Sequence, residues 1–182
     1  MPQFIAIYEN GLHVDLYIAT NSQLQHTDPI KVYYDPNGIF NEYTWQRDEF
    51  SLDEIAKCFE DALYYFTEAN SAYERKNYPW AIRIMDSSIS NAAILLRYSY
   101  DKIFTFLGLK KINEIIPHEQ YMLLENAFVY LGKLEFQKAN DCIMKAMDVF
   151  IETCSSEMKD KLNMKLYQWV KSNLNRTLFV ER

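Results

Sequence analysis

The sequence predicts an α+β protein: a short N-terminal antiparallel sheet of about three strands over residues 1–50, then a bundle of about five helices over residues 51–182. Three observations carry this expectation. Residues Leu12 to Ile18 alternate apolar and polar side chains, Ser51-Leu52-Asp53-Glu54 has the form of a helix-capping box, and long segments after it repeat apolar residues at helical spacing. With 49% apolar residues, 15% aromatics, four glycines and five prolines, the composition is that of a core-forming chain. Its 182 residues are enough to bury a sizeable core.

Asn10-Gly11 is a two-residue hairpin signal, which pairs Phe4–Tyr8 with Leu12–Ile18. On the second strand Leu12, Val14, Leu16 and Ile18 point one way and His13, Asp15 and Tyr17 the other. Asp is poorly suited to a strand interior, so Asp15 needs a reason. Either it faces solvent on a half-exposed sheet, or it is a carboxylate held rigidly to bind a metal or accept a proton. Ile30–Tyr34 is rich in β-formers and is expected as the third strand, ended by the turn Asp35-Pro36-Asn37-Gly38. Residues 39–50 carry the chain from sheet to helices.

The capping box starts a helix to about Tyr73, with Leu52, Ile55, Phe59, Leu63 and Phe66 inward. Pro79 suits the first turn of the next helix, whose apolar stripe predicts a run to Leu107 and a role as the spine of the bundle. Further helices are expected from Pro117 to Tyr130, from Glu135 to Cys154, and from Ser156 to Leu174 with Met158, Leu162, Leu166, Trp169 and Val170 inward.

The net charge of −6 argues against holding nucleic acid through the overall field. Cys58, Cys142 and Cys154 lack metal-ligand spacing and fit reduced thiols in a cytoplasm. No stretch reaches the roughly 18 uncharged apolar residues of a spanning helix. A soluble, cytoplasmic protein without membrane or nucleic-acid partners is the expectation.

The run ENGLHVDLYI, followed by DPIKVYYDPNG and later by YERKNYPWAIRIMDSSISNAAILLRY, resembles the antibiotic nucleotidyltransferases of the aminoglycoside and lincosamide type. In that superfamily a small sheet carries an Asp-x-Asp motif and a third carboxylate on a later strand, and Asp15 stands where the third would be. The resemblance implies transfer of a nucleotide from a Mg²⁺-bound nucleoside triphosphate to a hydroxyl of a small molecule. Asp15 would share the metal or take the proton, and His13 and Tyr17 would contact phosphate or sugar. Glu60, Asp61, Glu68 and Asp86 lie where the family's second domain closes over substrate, and of these Glu68 is the candidate for a cationic acceptor. A solvated helix face also accounts for each of the four.

The family's Gly-Ser loop and Asp-x-Asp strand have no counterpart here, for no Gly-Ser dipeptide occurs. The chain begins where the family is already deep in its catalytic domain, so the resemblance implies the later part of such a protein, inactive or nearly so by itself. The alternative is a non-catalytic helical module for ligand or protein binding. Missing strands should leave apolar surface exposed, which a homodimer could cover. The bundle also resembles the HEPN domains, but Arg97 has no His four to six residues later, and a ribonuclease reading loses its catalytic pair.

Overall fold

A computed structural model of the chain describes residues 2–24 and 26–173. The chain divides into two compact units, Met1–Asp48 and Glu49–Arg182.

In the first unit β1 (Gln3–Ile7) and β2 (His13–Tyr17) form an antiparallel pair in which Phe4 faces Leu16, Ile5 faces Asp15 and Ile7 faces His13. The expected alternation is present, but the turn differs from the two-residue form. The Tyr8 N–H donates to the Leu12 carbonyl at 2.9 Å, and the Gly11 N–H donates to the Tyr8 carbonyl at 2.9 Å. The loop is therefore the three residues Glu9, Asn10 and Gly11, with only Gly11 in the left-handed region at φ 80°. Asn10 serves through its side chain, whose Oδ1 accepts from the Leu12 N–H at 3.0 Å.

The third strand is not formed; the sheet among the described residues has two strands. Ile30–Tyr34 has β propensity but no strand to pair with, and propensity without a cross-strand partner does not hold a strand. The segment belongs instead to a loop tied at its base. The Gln46 N–H donates to the His26 carbonyl at 2.7 Å, the His26 and Tyr43 rings stack at 4.4 Å, and Arg47 Nη2 meets an Asp28 carboxylate oxygen at 2.8 Å. At its tip the Asp35 carboxylate accepts from the Ile39 and Phe40 N–H groups, turning the chain after Pro36.

Among the described residues the second unit holds six α-helices: α1 (Leu52–Glu74), α2 (Tyr78–Tyr98), α3 (His118–Val129), α4 (Phe136–Thr153), α5 (Ser156–Lys161) and α6 (Met164–Asn173). The capping box at α1 is complete, since the Glu54 N–H donates to Ser51 Oγ and the Ser51 N–H donates to Glu54 Oε2. Pro79 stands in the first turn of α2, as its missing N–H allows. Helix α2 packs on α1, α3 and α4 and is the spine of the bundle. Ile55, Phe59, Leu63 and Phe66 of α1 meet Met85, Ile89, Leu95 and Leu96 of α2 in one core with Ile143, Met147 and Phe150 of α4.

Two expected boundaries moved. Helix α2 stops at Tyr98 rather than Leu107, because Asp101 diverts the chain: its carboxylate accepts from the Phe104 N–H and pairs with the buried Arg97 at 3.1 Å. Arg97 in turn donates to the Lys110 carbonyl at 2.7 Å, fastening the following irregular segment. The expected last helix is two. Leu162 is extended, and Asn163 Oδ1 accepts from the Leu166 N–H, so Asn163 caps a new helix. That break re-aims α6: Tyr167 and Val170 are buried, while Trp169, expected inward, is 55% exposed.

Candidate functional site

Asp15 occupies the middle of β2, where a rigid paired backbone fixes the direction of its carboxylate. Successive residues of a strand alternate faces, so His13, Asp15 and Tyr17 share one face, backed across the ladder by Ile7, Ile5 and Gln3. The three residues singled out in the sequence are thus brought together. His13 Nε2 lies 3.2 Å from an Asp15 carboxylate oxygen, and the two side chains are 56% and 41% exposed. A carboxylate so placed is open to a ligand and has an imidazole nitrogen beside it.

Glu68, the fourth candidate, lies on α1 in the helical unit. It accepts a hydrogen bond from Tyr64 one turn earlier, which holds the Tyr64 hydroxyl above its ordinary value. His26 is engaged by Tyr43 and by the Thr44 carbonyl, and His118 stacks on Tyr121.

A Mg²⁺ ion asks for near-octahedral oxygen ligands, commonly carboxylates together with substrate phosphates. The Asp15 face supplies one carboxylate beside an imidazole, and among the described residues no group of three or more His, Cys, Asp or Glu side chains is placed to hold a metal. These residues do not by themselves fit the metal centre that the resemblance implies.

Two polar features were not legible in the sequence. An open groove of about 510 Å³ runs between α3 and α4, lined by Glu119, Gln120, Leu123, Lys145, Val149 and Glu152. Its residues come from helices joined by a turn, and no local motif announces them. The other feature joins α4 to α6: Tyr167 donates to the Asp148 carboxylate, and Lys171 Nζ reaches the same carboxylate at 2.6 Å. Burial, and then the bond to Asp148, push the Tyr167 hydroxyl up to about 12. Helical spacing places Tyr167 and Lys171 together, but Asp148 joins them only through packing.

Burial also pushes the Cys58, Cys142 and Cys154 thiols up, which disfavours the reactive thiolate. Among the described residues no helix is long and apolar enough to cross a membrane. Comparison of the chain with family models, with curated proteins and with solved structures gave no match.

Proposed function

We propose that this chain supplies the acceptor side of an antibiotic-type nucleotidyl transfer site, with Asp15 as the group that receives the proton of the attacking hydroxyl. The observation that carries this reading is the position of Asp15: mid-strand, accessible, and in contact with His13. In the reaction an acceptor hydroxyl attacks the α-phosphorus of a nucleoside triphosphate. A new O–P bond forms, pyrophosphate leaves, and the hydroxyl proton passes to the Asp15 carboxylate. The His13 imidazole stands beside that carboxylate and Tyr17 borders the sugar. Mg²⁺ and the triphosphate need a phosphate-binding loop and further carboxylates, which a Gly-Ser and Asp-x-Asp segment would bring. A triphosphate donor places the reaction in the cytoplasm.

The test is a radiolabelled-nucleotide transfer assay with kanamycin, streptomycin and lincomycin as acceptors. The chain as given is expected to transfer nothing measurable, and the chain fused to a segment bearing both motifs is expected to transfer nucleotide to at least one of the three. A fusion that folds, binds nucleotide and transfers none would overturn the reading.

A second reading, a non-catalytic binding module, is favoured by one observation. Phe4, Leu12, Leu16 and Ile18, on one face of the hairpin, are all exposed, as a docking surface would be. Partner capture that survives Asp15→Asn, with no transfer in any fusion, would favour it.

A further inference from the structure

We propose that two copies of this chain pair through the free edges of their β2 strands, antiparallel and about a two-fold axis at Val14. The hairpin's hydrogen bonds show which edge groups are free. The Tyr8 N–H bonds the Leu12 carbonyl and the Ile18 N–H bonds the Pro2 carbonyl, so both end pairs are of the hydrogen-bonded kind. Bonded and non-bonded pairs alternate along an antiparallel ladder, which makes Phe4/Leu16 and Ala6/Val14 bonded as well. The N–H and C=O groups of His13, Asp15 and Tyr17 therefore point away from β1. Two strands alone are marginal, and an unpaired edge invites another strand.

The side chains on that edge select the occupant and the register. A two-fold axis centred on Asp15 would set the two carboxylates against each other, and one centred on His13 would set the two imidazoles against each other. An axis at Val14 sets His13 of each copy opposite Asp15 of the other, twice over. Carboxylates facing each other across strands repel, whereas an imidazole N–H facing a carboxylate can donate to it. The same register puts Leu12 opposite Leu16 and Val14 opposite Val14 on the apolar face. A surface that matches itself about a two-fold axis calls for a second copy, since an isologous contact needs the same patch on both sides. The β1 edge, with Gln3, Ile5 and Ile7, carries no charge to set a register.

This inference is independent of nucleotidyl transfer, although a strand bearing Asp-x-Asp would compete with the second copy for the same edge. Sedimentation equilibrium on the full chain tests it. The unmodified chain is expected to dimerise reversibly. His13→Asp leaves two carboxylates on the edge, and His13→Lys combined with Asp15→Lys leaves two ammonium groups, so each variant alone should dimerise about tenfold or more weakly. An equimolar mixture of the two should regain the dimer, because each copy now faces its opposite. That recovery separates lost pairing from lost folding. Val14→Cys, in a non-bonded pair whose α-carbons sit about 4.5 Å apart, should form an intermolecular disulfide under mild oxidation, well above the level of the unmodified chain. A monomeric unmodified chain, or a mixture that stays monomeric, would overturn the proposal. A recovered dimer alongside a Val14→Cys variant that does not cross-link would overturn the register.

Discussion

Replacing Leu95 by alanine tests the central packing of the bundle, and Leu134 provides the matched control. Leu95 lies on α2 at 0% exposure, in the core shared with α1 and α4, whereas Leu134 sits in the turn before α4 at 92% exposure. The chemistry removed is the same at both sites. At Leu95 the change forfeits the transfer free energy of the buried methyl and methylene groups and leaves a cavity, together about 2.7–5 kcal/mol. At Leu134 it should stay within about 0.5 kcal/mol, as for other exposed sites. A domain of this size shifts its thermal midpoint by roughly 3–5 °C per kcal/mol, so Leu95→Ala should lower it by about 10 °C or more. Urea titration followed by far-UV circular dichroism gives the free energies, with the slope against denaturant as a check that the denatured state has not changed. Equal effects at the two positions would refute the core assignment, and so would a loss below about 1 kcal/mol at Leu95.

Ser51→Ala should destabilise the protein by about 0.5–2 kcal/mol through loss of the α1 cap, read by the same titration. Its bonds to Ser51 hold Glu54 below the ordinary carboxylate value. That stabilisation is fully present above the unfolded value and is lost as pH falls through the lowered folded value, so Ser51→Ala should flatten the acid limb of stability against pH. Asn140, buried on α4, donates to Asn70 Oδ1 on α1 at 2.6 Å. Asn140→Ala should cost about 1–3 kcal/mol by stranding Asn70, and a double-mutant cycle with Asn70→Ala should be clearly non-additive. The Tyr167 hydroxyl titrates higher in the folded protein than in the unfolded one. Its contribution is present below about 10 and is lost as pH rises through about 12, and Tyr167→Phe should remove that part of the alkaline limb.

The elements legible in the sequence are those whose signals are local. The Ser51–Glu54 box and Pro79 act within one helical turn, and the alternation along β2 is a property of the strand itself. Where the outcome depends on a distant group, the sequence misleads. Ile30–Tyr34 has the residues of a strand but lacks a partner, and partners are not written into propensity. Helix α2 ends where Asp101 diverts the chain, and the segment after it is fastened by Arg97 reaching the Lys110 carbonyl, 13 residues away, while the apolar stripe continues past the end. Asn163 is of a capping residue type, but the periodicity around it favours one continuous helix and puts Trp169 inward on that phase. Two-residue and three-residue hairpins share the Asn-Gly signal, and only the backbone hydrogen bonds tell them apart. At the candidate site the face shared by His13, Asp15 and Tyr17 followed from period two alone. The groove between α3 and α4 and the Asp148–Tyr167–Lys171 cluster needed the packing of helices far apart in the chain.

The most direct measurement is the single-turnover rate of nucleotide transfer by the motif-bearing fusion with Asp15 intact and with Asp15→Asn. Asn keeps the size and the hydrogen-bonding reach of the side chain but cannot accept the proton. A folded Asp15→Asn protein with unchanged nucleotide binding should transfer at least about 100-fold more slowly, the lower end of what a positioned general base contributes. A smaller loss would contradict the role assigned to Asp15, and with it the proposal that this strand face belongs to a transfer site.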